Sequence, residues 1–224
     1  MHLSAALVPP REVLDHLIEA VADVEPAWTQ PAPAAGGRHA GWVGLRRGRR
    51  KGQDTSPPPP AGPPLDLFAP IRMQVPIAKF GNLSLVDANR LADALEQQGR
   101  SWGSPRLRLH GGVVLEPEGD NSAWAGLTGD VDALHQLKAG VIRVAQGLQL
   151  FVDRRVFRPH LRLGTINGLT TEAYLEALLA ALDAYEGAPW WQTSMSLLVP
   201  ADNGPTGPAF KVHREIQLGL PVPH

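Results

Sequence analysis

The chain has 224 residues, 43% hydrophobic and 19% charged, enough apolar content for one large domain or two small lobes with a substantial core. Its 22 acidic and 21 basic residues give a net charge of −1, which excludes the global positive field of a protein built to gather nucleic acid. The absence of cysteine excludes disulfides, thiolate nucleophiles and cysteine zinc sites, and suits a reducing cytoplasm. The eight histidines are scattered without the spacing of metal ligands, so neither a metal nor a cofactor is expected. No apolar run approaches a membrane span, and the first residues lack the basic region of a secretory leader.

Residues 3–8 are apolar and short, as a buried strand would be, and Pro9-Pro10 end them. Leu14, Leu17, Ile18 and Val21 then mark one face of a helix over 11–24. Residues 25–70 differ in character, with Pro31, Pro33, Pro57 to Pro60, Pro63 and Pro64 set among Gly and Ala. So many prolines predict a flexible loop, bounded as 29–70, in which only 41–45 suggest a brief strand. Within it, residues 36–51 hold six basic side chains and no acid, which leaves the rest of the chain at −7. Such a run either keeps the loop soluble or makes a nonspecific contact with a polyanion.

Residues 71–80 predict a strand with Met73, Val75 and Ile77 on one face and Gln74, Pro76 and Ala78 on the other. Gly81-Asn82 signals a turn into a helix carrying Leu91 and Leu95. A strand over 106–115, bulged at Gly111-Gly112, and another around Trp124 precede a helix through Leu134, Leu137, Val141 and Ala145. Residues 160–163 alternate polar and apolar, so His160 and Arg162 share one strand face while Leu161 and Leu163 face the core. Thr170 is placed as the cap of a helix through Leu175, Leu178, Leu179 and Leu182, and two strands at 194–199 and 209–218 finish the chain. A titratable imidazole beside a fixed guanidinium can grip a phosphate, although a solvated strand with a polar outer face explains the same residues. Gln74-Val75-Pro76-Ile77 echoes His160-Leu161-Arg162-Leu163, each being a strand that leads into a turn and a helix.

Phe157-Arg158-Pro159-His160-Leu161-Arg162-Leu163 resembles the second signature of the two-histidine phosphoesterases, above all the bacterial 2′-5′ RNA ligase-like proteins, also described as RNA 2′,3′-cyclic phosphodiesterases. That signature reads Phe-Arg-Pro-His-Leu-Thr-Leu, so only the threonine, here Arg162, departs. The opening run to Pro9-Pro10, the Trp124-Ala125-Gly126-Leu127 strand and the ending at Ser194-Met195-Ser196-Leu197 resemble the same family, over nearly the whole chain. The Pro-rich loop has no counterpart of that length. The resemblance implies one α/β (α+β) domain over 1–224, bilobal, with two pseudo-symmetric antiparallel-rich sheets, helices outside and a central cleft. It also implies metal-free acid–base catalysis by two histidines, with threonine or serine hydroxyls holding the phosphate.

The first histidine signature is not matched. Its best ungapped placement puts Gln74 at the histidine and Pro76 at the threonine, so His160 is the one signature side chain retained. Glutamine exchanges no proton near neutral pH, and losing one acid–base partner costs about a hundredfold to ten-thousandfold in rate. The partial match implies a monomer that acts on, or only binds, RNA ends or a small cyclic or oligonucleotide in its cleft, with catalysis impaired. His160 is the remaining acid or base, and Arg162 and Gln74 orient the phosphate. His39 and His110 are candidates for the missing imidazole, Arg72 and Lys79 for added phosphate neutralisation, and a tryptophan near the cleft for base stacking. Two rivals stay open: a noncatalytic nucleotide- or RNA-binding module, and a structural or partner-binding protein that works through its basic loop.

Overall fold

The computed structural model describes residues 1–24, 62–116, 120–153, 157–201 and 207–220. Among these the chain forms nine strands and four α-helices, in the order β1 (His2–Leu7), α1 (Arg11–Ala22), β2 (Leu65–Leu67), β3 (Val75–Asn82), α2 (Leu85–Gly99), β4 (Arg106–Glu116), β5 (Asp120–Gly129), α3 (Val131–Gly147), β6 (His160–Ile166), α4 (Glu172–Ala184), β7 (Trp190–Trp191), β8 (Ser194–Pro200) and β9 (Phe210–Gln217). They build two antiparallel sheets, β3-β1-β8-β9 and β2-β6-β5-β4-β7. The fold is thus mixed α/β with two antiparallel-rich sheets and helices on their outer faces, as the sequence implied.

The helices form where apolar side chains recur at helical spacing. Val13, Leu14, Leu17 and Val21 of α1 are buried, as are Leu91 and Leu95 of α2, Leu134, Leu137 and Val141 of α3, and Tyr174, Leu178 and Leu182 of α4. Each fully buried leucine contributes about 1.5–3 kcal/mol through its removal from water. Ser84 caps α2 by accepting from the Asp87 amide at 3.0 Å. The cap of α4 is Thr171, which accepts from the Tyr174 amide at 3.1 Å, rather than Thr170. Thr170 instead donates to the Pro64 carbonyl and so ties the turn after β6 to the segment entering β2.

Connections cross between the lobes. α1 follows β1 of the first sheet yet packs against α4, which lies on β4 of the second. α3 follows β5 of the second sheet yet packs on β3 of the first, beside α2. The two sheets also meet directly through β3 and β6, the strands that carry the two echoing sequences.

Two expectations change in detail. The loop assigned to 29–70 ends in structure, because Leu65–Leu67 pairs with β6 as an edge strand and Pro70–Arg72 forms a 3₁₀ turn. Gly164 permits that pairing, since a Cβ there would lie 2.5 Å from the Asp66 carbonyl oxygen. The rest of that loop, with the 41–45 patch, the basic run and His39, lies outside the described residues. The bulge expected at Gly111-Gly112 is present as a register slip in β4 between Leu109 and Gly112.

Candidate functional site

A cavity of about 320 Å³ opens between the two sheets. The first sheet contributes Ser4 of β1, Gln74 at the entrance to β3, Pro76 and Lys79 of β3, Leu198 and Pro200 of β8, and Ala209 and Phe210 at the start of β9. The second contributes Trp124 of β5, Arg162 of β6, and Phe68 and Arg72 from the stretch that follows β2.

Arg162 is held within its own sheet. On β6 it lies opposite Trp124 of β5, and its Nε donates to the Ser122 hydroxyl at 2.8 Å. Its guanidinium carbon stands 5.1 Å from the Phe68 ring centroid and 5.9 Å from that of Trp124. Arg72 reaches the same Phe68 ring at 5.9 Å. Both guanidinium groups thus lie over one phenyl ring, whose negative face offsets part of their mutual repulsion. Phe68 is itself held by its amide, which donates to the Leu163 carbonyl at 2.8 Å.

Lys79 reaches the cavity through a change of register. β3 slips against β1 between the partners of Ala5 and Ala6 and again between those of Leu3 and Ser4. The slips break strict alternation, so Ile77 and Ala78 are both buried and Lys79 joins Gln74 and Pro76 on the cavity side, where alternation predicted Ala78. Gln74 Oε1 from the first sheet's side and Trp124 Nε1 from the second, an acceptor and a donor, are shielded from solvent and make no hydrogen bond among the described residues.

His160 lies on the same face of β6 as Arg162, opposite Gly126 of β5, and beyond the residues that enclose the cavity. Its strand is anchored at that end by Leu127, whose amide donates to the Pro159 carbonyl at 3.0 Å. Phe157 packs under α3, edge-on to His135 with centroids 5.4 Å apart and 5.2 Å from the Lys138 ammonium. Partial burial pushes the Lys138 pKa down, against an opposing pull from Asp153. The Asp153 amide in turn donates to the Lys79 carbonyl at 2.9 Å, linking the approach to β6 with β3.

The sequence candidates thus separate. Arg162, Gln74, Arg72, Lys79 and Trp124 come together, and His160 stands one step away along β6. His110 does not supply the missing imidazole: its Nδ1 lies 2.9 Å from the Tyr185 carbonyl, at the end of α4. Among the described residues neither a histidine nor a carboxylate lines the cavity, and no group of side chains could hold a metal ion. Ser4, Phe68 and Phe210 were not foreseen. The alternation in Leu65-Asp66-Leu67-Phe68 was the available signal for Phe68, hidden by the prolines around it.

The fold recurs in solved structures over nearly the full chain. TT0787 of Thermus thermophilus superposes with a TM-score of 0.63 at 16% identity, covering 97% of this chain and 98% of that one. E. coli LigT complexed with 3′-AMP gives 0.62 at 14% identity, covering 97% of both chains. A protein described as a phosphoesterase gives 0.59 at 13% identity, covering 97% and 98%. The chain has the fold of LigT. LigT has also been solved with NADP⁺, with phosphate and with ATP. No family model and no curated protein matches the sequence. At such low identity the likeness to LigT describes the path of the backbone, and the side chains of the cavity have to be read for themselves.

Proposed function

We propose that the cavity binds the phosphate of a nucleotide or of an RNA end, as in a divergent 2′-5′ RNA ligase-like or cyclic-phosphodiesterase-like protein whose catalysis is impaired. The observation that carries this reading is the convergence of Arg72, Lys79 and Arg162 on one cavity with no carboxylate among its described lining residues. A guanidinium whose Nε is held by Ser122 presents its fork in a set direction, which suits the oxygens of a phosphate. Trp124 and Phe68 add aromatic surface, and stacking a base on such a ring contributes about 1–3 kcal/mol. LigT, with the same fold, was crystallised with phosphate and with 3′-AMP, which supports a ligand of this class.

Impaired catalysis follows from the residue types. Gln74 stands where the family signature has its first histidine, and an amide neither takes nor gives a proton near pH 7. Pro76 supplies no hydroxyl to hold phosphate. His160 is then the remaining acid or base, while Arg162 and Gln74 orient the ligand. The basic run at 46–51 adds a salt-sensitive contact with the same polyanion.

Calorimetric titration with 3′-AMP and inorganic phosphate, beside a turnover assay on RNA ending in a 2′,3′-cyclic phosphate, tests both halves. The expected result is binding that weakens with salt and with Arg162→Ala, and ring opening barely above background. No binding at millimolar ligand would overturn the receptor. Efficient turnover abolished by His160→Ala would overturn the impairment.

A further inference from the structure

Building on the reading of the cavity as a phosphate receptor, we propose that Gln74 and Trp124 bind a free sugar hydroxyl beside that phosphate. The pair thereby selects a nucleotide that carries the hydroxyl over one that lacks it. Both residues line the cavity, Gln74 at the entrance to β3 on the first sheet's side and Trp124 on β5 of the second. Gln74 Oε1 and Trp124 Nε1 are each shielded from solvent and make no hydrogen bond among the described residues, so they do not bond to each other. Folded proteins rarely leave such atoms unpaired, because stripping water from a polar group without replacing it is costly. Two of them on one cavity, one acceptor and one donor, define the group that completes them.

The chemistry of the two atoms narrows that group. Gln74 Oε1 only accepts a hydrogen bond, and the indole Nε1–H only donates one. An ionised phosphate oxygen serves Trp124 but offers Gln74 nothing, whereas an ammonium serves Gln74 but offers Trp124 nothing. A hydroxyl satisfies both, since it has one proton to give and lone pairs to accept. The position of the indole then says which hydroxyl. The Arg162 guanidinium carbon stands 5.9 Å from the Trp124 ring centroid, so a group that meets this indole lies close to a phosphate held at Arg162. In a nucleotide that neighbour is the sugar rather than the base, and in a 3′-monophosphate it is the 2′-hydroxyl. The selection itself uses neither guanidinium: Arg162 keeps its bond to Ser122, and Arg72 its place over Phe68.

The test compares 3′-AMP with 2′-deoxyadenosine 3′-monophosphate on the full chain by calorimetry at about pH 8, where both phosphates are ionised alike. The ribonucleotide should bind at least about tenfold tighter, since the deoxy ligand leaves two shielded polar atoms unpaired. A 2′-fluoro analogue of 3′-AMP keeps the size of the hydroxyl but has no proton to give, so it should side with the deoxy ligand. A fluoro ligand as tight as 3′-AMP would overturn the proposal, because Gln74 would then receive no proton. Gln74→Met removes the acceptor at similar length, and Trp124→Phe removes the donor while keeping a ring. Each should bring the ratio between the ribo and deoxy ligands toward one. A loss of folding or of phosphate affinity acts on both ligands alike and leaves that ratio where it was. A ratio that survives both substitutions would overturn the pairing, since the hydroxyl would be read elsewhere. Equal binding of the two ligands by the parent would also overturn it and leave the phosphate receptor standing, with a water or a turned Gln74 amide completing the site. Failure of both ligands at millimolar concentration would remove the receptor as well.

Discussion

β3 and β6 meet between the two sheets and carry the same sequence pattern, yet β6 slips against β5 only past Arg162, whereas β3 slips twice against β1. From His160 to Arg162 its register with β5 is unbroken, Leu161 and Leu163 are fully buried, and Arg162 on the other face lines the cavity. β3 is the edge strand of its sheet, contains Pro76 and slips twice against β1. An edge strand tolerates the missing proline amide, and the slips rotate a lysine into the position that strict alternation gave to an alanine. One strand thus brings a guanidinium to the cavity on an alternating strand, while the other brings an amide and an ammonium to it through its slips. The contrast shows that two strands with the same sequence pattern can present different side chains to one cavity when only one of them slips within the pattern.

The largest effect should come from making β3 chemically equivalent to β6. Gln74→His combined with Pro76→Thr supplies the absent imidazole and hydroxyl. Steady-state hydrolysis of 2′,3′-cyclic AMP should then rise about a hundredfold or more, the usual worth of a general acid–base partner. The gain should disappear when His160→Ala is added. If binding survives but hydrolysis does not rise, the register slips of β3 aim position 74 away from His160, and the two strands differ in geometry as well as in residue type.

Breaking the β6 side comes next. Arg162→Ala removes a guanidinium held by Ser122 and placed over the rings of Phe68 and Trp124. Hydrogen bonds to charged groups are each worth about 1.5–3 kcal/mol, so the Kd for 3′-AMP should rise about a hundredfold. Arg162→Lys should recover only part of this, because an ammonium lacks the planar fork. An unchanged Kd in Arg162→Ala would show that the phosphate is held from β3 instead.

A third change acts on the support of β6. Alanine at position 164 would push its Cβ against the Asp66 carbonyl and lie 3.0 Å from the Leu67 Cα. Gly164→Ala should therefore lift β2 from β6, lower stability by about 2 kcal/mol and reduce Tm by about 4–8 °C. Phe68 follows β2 directly, so phosphate affinity should fall several-fold at the same time. Gly168→Ala is the control, since a Cβ there meets nothing within 4 Å. Equal melting of the two variants would show that β2 adjusts freely and does not set the position of Phe68.

The sequence made β6 legible because the alternation of His160, Leu161, Arg162 and Leu163 is local, and local alternation survives into the sheet. It likewise revealed the helix faces and the overall pair of sheets. It did not reveal Phe68, because prolines on either side disguise a three-residue edge strand whose existence depends on pairing with Gly164, about a hundred residues away. Lys79 could be named as a possible phosphate neighbour but not placed, because its direction depends on slips against β1 that leave no local mark. His110 showed the opposite limit: its residue type suited the missing role, and only the contact with Tyr185 shows that it serves the end of α4.

The smallest effect tests the helix that bridges the two strands. α3 packs on β3 and also presents Lys138 to Phe157, the first residue of the β6 motif. Burial lowers the Lys138 pKa in the folded chain, with Asp153 opposing, so the unfolded chain holds this proton more tightly. The charged form therefore works against folding at neutral pH. That penalty is relieved as pH rises from the lowered folded value toward the ordinary 10.5. Lys138→Met keeps the length and apolar stem while removing the titration. Its Tm at pH 7 should lie within about 2 °C of the parent or slightly above it, since the side chain is only partly buried. Between neutral and alkaline pH the parent should gain on the variant, and a parent that instead loses ground would mean that Asp153 and the Phe157 ring together outweigh the burial. In that case Lys138 is an active clamp on the β6 motif, and its removal should loosen phosphate binding at Arg162 as well.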